Sequence, residues 1–177
     1  DTDVAIIEMN ISCPNVKHGG LAFGTDPKVV NELTSAVKKH AKKPLVVKLS
    51  PNVTSITEIA KAAEAGGADG LSLINTLMGM KIDIHTRRPI LANNTGGEQI
   101  IQEVHEAVRL PFIGMGGVMN GEDVIEFMLA GASLVALGTG LFVKPDLILP
   151  VKQEIKEYME RYNIEDINSI IGTAVMN

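Results

Sequence analysis

Tryptophan is missing from this sequence of 177 residues, and aromatic residues make up only 3% of it. A core must therefore come from Ile, Val, Leu, Ala and Met, and the stacked aromatic platforms that hold single-stranded nucleic acid are not expected. There is a single cysteine, Cys13, which excludes an internal disulfide framework and any multi-cysteine metal site. The four histidines, His18, His40, His85 and His105, show no metal-ligand spacing. No metal is expected, and His40 and His105 read as helix-surface residues. No apolar run approaches the ~18–20 residues that span a bilayer, and nothing resembling a signal peptide precedes the first apolar run. Positive charge is scarce too, with a net charge of −5. The one basic group, Lys38-Lys39-His40 with Lys42-Lys43, falls at an expected helix C-terminus, where cations offset the helix dipole. These absences argue against nucleic-acid and membrane partners and lead us to expect a cytoplasmic protein.

What is present is the composition of a globular protein, 45% hydrophobic and 21% charged. Residues 1–177 suit one domain. The apolar run Val4 to Ile7 reads as a buried strand that breaks into the loop Asn10-Ile11-Ser12-Cys13-Pro14-Asn15. Thr25-Asp26-Pro27 starts a helix with a capping side chain and Pro in the first turn. Val29, Val30, Leu33 and Val37 then recur on one face. Leu45 to Leu49 is a short strand, and Ser55-Ile56-Thr57-Glu58 has the capping-box spacing of a helix running to about Ala65. Asp69 to Ile74 is the next strand, followed by a long connection, 77–97, and a helix from Glu98 to Val108. Leu110 to Gly114 is a strand, Asn120-Gly121-Glu122-Asp123 caps a helix ending near Gly131, and Ser133 to Leu137 is the last strand. A helix over 150–162 and a short one closing near Gly172 complete the chain.

Strand and helix thus alternate five times, and the strands are too apolar to have a wet face. Such strands belong to a parallel sheet covered by helices. An open doubly wound sheet and a (β/α)8 barrel both fit. Asn10 to Asn15, Lys48, Asn75-Thr76, Gly116-Gly117 and Gly138-Thr139 all fall at C-terminal strand ends. Five strands contributing to one rim favours the barrel, because an open sheet gathers its ligands at one switch point. We therefore expect an α/β TIM barrel of which this chain supplies roughly the last five strand–helix units.

Gly114-x-Gly116-Gly117 and Gly138-Thr139-Gly140 follow neighbouring strands, where backbone N–H groups can approach phosphate oxygens. The alternative is that they only make tight turns. Lys48 interrupts an apolar strand, so it needs a negative partner, either a flavin or phosphate or a core-side carboxylate. Cys13 has no His or Asp beside it in sequence to make it a protease-like nucleophile, and a lone Cys is often an inert filler. The carboxylates Glu122-Asp123 need no role beyond contact with a helix N-terminus.

The run Asn10-Ile11-Ser12-Cys13-Pro14-Asn15-Val16-Lys17-x-Gly19-Gly20 resembles the active-site loop of class 1 dihydroorotate dehydrogenases. Val46-Val47-Lys48-Leu49-Ser50-Pro51-Asn52, Ile74-Asn75-Thr76, Arg88-Pro89 through Gly96-Gly97, Gly114 to Val118 and Gly138-Thr139-Gly140 recur in the family's order. The Asn93-Asn94-Thr95-Gly96-Gly97 version is most similar to the class 1B branch. The resemblance implies an FMN-dependent enzyme that oxidises dihydroorotate to orotate in pyrimidine (UMP) biosynthesis and passes electrons to NAD through a partner subunit. It implies that Cys13 is the base removing the C5 proton while a hydride goes to the flavin. Asn10, Asn15, Asn75 and Thr76 would bind substrate, and Asn10, Lys48, Ile74, Gly116, Gly117, Gly138 and Thr139 would bind FMN. It also implies a homodimer joined by an electron-transfer subunit that carries FAD and a 2Fe-2S cluster.

Two departures accompany the resemblance. The family has three further strand–helix units before this stretch, and a glycine-containing segment where Gly97 here meets Glu98. The competing expectation is an inactive partial-barrel fragment or a phosphate-binding module without catalysis. A third reading, a dihydropyrimidine dehydrogenase, shares the Cys-Pro loop but is disfavoured by Asn15-Val16-Lys17.

Overall fold

A computed structural model of the chain describes residues 3–12, 21–75, 81–82, 89–90 and 97–174. The elements run β1 (Ile7–Asn10), α1 (Leu21–Gly24), α2 (Pro27–Lys38), β2 (Leu45–Lys48), α3 (Ile56–Ala65) and β3 (Gly70–Leu73). They continue with β4 (Lys81–Ile82), β5 (Pro89–Ile90), α4 (Gly97–Ala107), β6 (Phe112–Met115) and α5 (Gly121–Ala130). The order ends with β7 (Leu134–Ala136), α6 (Gly140–Val143), α7 (Ile148–Tyr162) and a 3-10 turn at Ile167–Ile170. Five strands pair in the order β1-β2-β3-β6-β7, and every pairing is parallel. The intervening helices make this a β/α repeat of five units, the architecture expected of part of a (β/α)8 barrel.

Local chemistry places the helices where the sequence signals them. Asp26 caps α2 by accepting from the Lys28 N–H at 2.8 Å, with Pro27 in the first turn. Ser55 caps α3 through the Glu58 N–H at 3.4 Å. At α5 the capping box is reciprocal. Asn120 accepts from the Asp123 N–H at 2.8 Å, and the Asp123 carboxylate accepts from Asn120 at 3.2 Å and from Met119 at 2.6 Å. Asp123 thus does more than face a helix dipole. Lys38, at the end of α2, is tied to Asp69 by a salt bridge, and Asp69 also accepts from the Leu45 N–H at 2.7 Å. Those two hydrogen bonds hold the Asp69 carboxyl below the usual carboxylate range.

The strand expected over Val4 to Ile7 lies further along, at Ile7–Asn10. The Ile7 N–H donates to Pro44 O at 2.9 Å, and the ladder then pairs Ile7 with Leu45 and Asn10 with Lys48. Pairing begins where β2 offers a partner, and Val4 and Ile6 stay exposed. The two-residue antiparallel pair of β4 and β5 lies inside the connection that sequence left without structure. His105 is not a plain surface residue: it is half-buried, edge-on to Phe112 with ring centroids 6.0 Å apart.

The expectation that no strand has a wet face also fails. Register divides the sheet into two faces. Leu45, Val47, Leu71, Leu73 and Phe112 share the helix-covered face and are almost fully buried with Ile59, Ala63, Ile101, Val104 and Phe127. Glu8, Asn10, Lys48, Ser72, Met115 and Leu134 share the other face, where Leu134 is 60% exposed. Burial on both faces holds only at the sheet centre. On the edge strands β1 and β7 residues of the second face, such as Glu8 and Leu134, meet solvent.

Candidate functional site

Because all five strands are parallel, their C-terminal ends lie along one edge of the sheet. Asn10 is the last residue of β1 and Lys48 the last of β2, and the two are direct register partners. β3 ends at Leu73, and Ile74 and Asn75 follow. The Asn75 N–H donates to Leu49 O at 3.1 Å, which holds the chain after β3 against the end of β2. Gly116-Gly117 follow β6 and Gly138-Thr139 follow β7, and the two strands pair up to Met115 and Ala136. The residues singled out on five separate strands therefore share one rim. Cys13, Asn15 and Thr76 lie outside the described residues, as do His18, His85 and most of the stretch from Arg88 to Gly96.

Hydrogen bonds knit the first three strand ends together. Asn10 Oδ1 accepts from the Ser12 N–H at 3.0 Å and from the Ser12 hydroxyl at 2.7 Å. The first of these is an Asx turn, so Asn10 both shapes the loop and holds a place at the rim. Asn75 Nδ2 donates to Ser12 O and to Ser12 Oγ, both at 2.9 Å. The ends of β1 and β3 are thus bridged across β2. One step deeper, Ser72 Oγ donates to Glu8 Oε2 at 2.8 Å on the same sheet face as Asn10 and Lys48. Sequence reasoning gave no role to Glu8, Ser12 or Ser72. The available signal was a polar residue in a buried strand (Leu71-Ser72-Leu73) and a Ser two residues after an Asn.

Lys48 is half-buried and makes no ion pair among the described residues. Glu8, the carboxylate on its own sheet face, is engaged by Ser72 instead. Ile74 packs partly against the core. Gly116 and Gly117 have φ of 115° and 78°, a region that favours glycine. A Cβ built on Gly116 or Gly138 would meet nothing within 4 Å among the described residues, so both glycines border space at the rim. Glycine-rich strand ends beside such space, with a lysine on the same rim that has no ion pair among the described residues, suit a phosphate-bearing group such as a flavin mononucleotide. Elsewhere, a groove of about 640 Å³ between α5 and α7 is lined by Glu122, Glu126, Glu154, Glu157, Tyr158 and Arg161 among others, and contains none of the rim residues. Among the described residues no cluster of His, Cys, Asp and Glu could hold a metal ion, and no helix is long and apolar enough to cross a membrane.

Fold and rim together define a β/α protein of the barrel type, with polar and glycine-rich strand ends gathered at the C-terminal edge of its sheet. Comparison with known proteins gives the family. A sequence model described as dihydroorotate dehydrogenase matches residues 2–159, and the chain belongs to that family. It is 58% identical over 182 aligned positions to the dihydroorotate dehydrogenase B (NAD(+)) catalytic subunit of Alkaliphilus oremlandii, covering 97% of this chain and 60% of that protein. The subunit of the same name from Enterococcus faecalis (strain V583) is 52% identical, with 96% of this chain and 57% of that protein covered. The chain thus spans about 60% of the length of the curated relatives it matches. Among solved structures, DHODH in complex with ferulenol from Eimeria tenella superposes with a TM-score of 0.79 at 21% identity. That match covers 96% of this chain and 54% of the other, and it supports the fold.

Proposed function

We propose that the protein carrying this chain is an FMN-dependent dihydroorotate dehydrogenase of the NAD-linked class 1B type, which oxidises dihydroorotate to orotate in pyrimidine biosynthesis. Residues 1–177 then form the C-terminal part of a single FMN-binding barrel domain. The observation that carries this reading is the convergence of Asn10, Ser12 and Asn75 beside Lys48, on the rim shared with Gly116 and Gly138. The names of the relatives, catalytic subunits of dihydroorotate dehydrogenase B, support it.

In this reading Asn10, Asn15, Asn75 and Thr76 bind the substrate's carboxylate and pyrimidine edge. Amides suit a ring with alternating donors and acceptors, and fixed dipoles hold negative charge as it develops on the substrate carbonyl. Cys13, which follows directly on Ser12, takes the C5 proton at its Sγ. Removal of a carbon-bound proton needs a base held in place and shielded from water. FMN, when bound, supplies a two-electron acceptor for the C6 hydride. Gly116, Gly117, Gly138 and Thr139 would hold its phosphate, Ile74 would line its ring, and Asn10 and Lys48 would contact its pyrimidine end, where the lysine charge would offset negative charge. The catalytic chain pairs with a second copy and with an electron-transfer subunit that carries FAD and a 2Fe-2S cluster and delivers electrons to NAD. The assembly works in the cytoplasm.

The test is anaerobic mixing of dihydroorotate with the full-length protein. A yellow protein whose flavin absorbance bleaches supports the assignment; a colourless protein, or a yellow one that does not bleach, rejects it. Cys13→Ser should slow bleaching by about 10²–10⁴-fold, the usual contribution of a general base, while flavin content is kept. Unchanged kinetics would remove Cys13 from that role.

A further inference from the structure

On the second face of the sheet the described strand residues carry one acid, Glu8, and one base, Lys48; the others there are uncharged. The two are diagonal neighbours, since Glu8 pairs in register with Val46, two residues before Lys48. Strand spacing and rise set their Cα atoms roughly 8 Å apart, a span that two long side chains can close. They do not close it. No ion pair joins them, and Glu8 Oε2 instead accepts from Ser72 Oγ at 2.8 Å. Ser72 is the register partner of Lys48 on the far side of β2, so the carboxylate reaches across the strand that carries the lysine. Glu8 starts from the row of Val46 and Gly70, where the glycine puts no side chain in its way. Burial explains the choice of partner. Ser72 is 0% exposed, and a buried hydroxyl without an acceptor loses its hydration for nothing. Lys48 is half-buried and keeps access to water, where an ion pair gains little.

We propose that Ser72 is a positioning residue: it holds the Glu8 carboxylate off Lys48 and so keeps the lysine charge for a ligand at the rim. Paired with Glu8, Lys48 would present a neutral couple to that ligand. With Glu8 tied to Ser72, it presents a whole positive charge. The consequence for a flavin rests on the function proposed above. A free lysine charge beside the pyrimidine end of the flavin favours the reduced, more negative form over the oxidised one. The two-electron potential of the flavin therefore reports how much of the Lys48 charge Glu8 leaves uncompensated.

The flavin potential of the full-length protein, set by equilibration with a reference dye, tests this in wild type, Ser72→Ala, Glu8→Gln and the double variant. Ser72→Ala frees Glu8 to pair with Lys48. It should weaken binding of reduced relative to oxidised flavin about tenfold, a potential about 30 mV lower. Glu8→Gln removes the competing charge. Beside it, Ser72→Ala should change that ratio about twofold or less, roughly 10 mV. A merely structural role for Ser72 would carry the same drop into both backgrounds. No drop in Ser72→Ala, or an equal drop beside Glu8→Gln, overturns the proposal. A second measurement needs no flavin: crystal structures of the flavin-free full-length wild type and Ser72→Ala. The Glu8 carboxylate should lie within about 4 Å of Lys48 Nζ in the variant and farther away in wild type. Any other arrangement also overturns the proposal. If wild type binds no flavin, the proposed function falls, while this distance still decides the role of Ser72.

Discussion

Gly138→Ala separates the fold of this protein from its ligand site. Gly138 follows β7, and its carbonyl accepts from the Leu141 N–H at 3.0 Å as α6 begins. A Cβ added there meets nothing within 4 Å, and the backbone is not in the left-handed region. The substitution should leave stability within about 0.5 kcal/mol of wild type or raise it by ~0.4–1 kcal/mol through the stiffer unfolded chain. The added methyl projects into the open space where a phosphate would approach the backbone. Loss of one hydrogen bond to a charged group is worth about 1.5–3 kcal/mol, or a roughly 10- to 150-fold rise in Kd. The assay is FMN titration of the flavin-free full-length protein by fluorescence quenching, with thermal unfolding of the same flavin-free protein. Gly114→Ala is the contrasting control. Its Cβ would lie 2.7 Å from Phe127 Cδ1, 3.0 Å from Ile101 Cδ1 and 3.1 Å from Ala132 Cβ. Over-packing of this kind costs about 1–3 kcal/mol, so that variant should unfold earlier. Wild-type FMN affinity in Gly138→Ala, or a loss of stability like that of Gly114→Ala, would refute the reasoning.

Thr34 Oγ1 is buried between α2 and α3 without a hydrogen-bond partner among the described residues. Thr34→Val should stabilise the protein by about 1 kcal/mol, read as a higher urea midpoint, and a lower midpoint would show that the hydroxyl is satisfied. Asp69, held below the ordinary carboxylate range by the Lys38 and Leu45 hydrogen bonds, stabilises the fold above the unfolded-state pKa and loses that effect as pH falls through the lowered folded value. The Lys38 and Asp69 side chains are 34% and 40% exposed, so Asp69→Asn should cost less than about 1 kcal/mol at neutral pH. The gap from wild type should close below about pH 4, and a gap independent of pH would contradict the linkage. Lys48→Ala should weaken FMN binding about tenfold or more with little change in thermal midpoint, since Lys48 has no ion pair among the described residues. Normal occupancy would remove Lys48 from the flavin site.

The helices and the rim were legible because their signals are local. Asp26-Pro27, Ser55 and Asn120 each supply a side chain that satisfies an N-terminal backbone donor, whatever the rest of the fold does. The placing of Asn10, Lys48, Asn75, Gly116 and Gly138 at strand ends followed from the alternation of apolar runs with polar or glycine breaks. The first strand was misplaced because hydrophobicity alone cannot tell where a partner begins. Ile7 starts the ladder only because Pro44 and Leu45 lie opposite it. Wetness of the edge strands was equally hidden, since Leu134 is as apolar as Leu71 and differs in lying on the other face of the sheet, on an edge strand. Ser12 escaped notice because its importance lies in bonds to residues two and 63 positions away, and the second has no local trace.

The account stands on one rim serving flavin and substrate together. A crystal structure of the full-length protein with FMN and orotate tests it most directly. Orotate should lie within hydrogen-bonding reach of Asn10 and Asn75, with the flavin phosphate against the backbone of Gly116-Gly117 and Gly138-Thr139 and Lys48 beside the flavin ring. Ligand bound at the opposite, N-terminal ends of the strands, or orotate held away from Asn10 and Asn75, would contradict it.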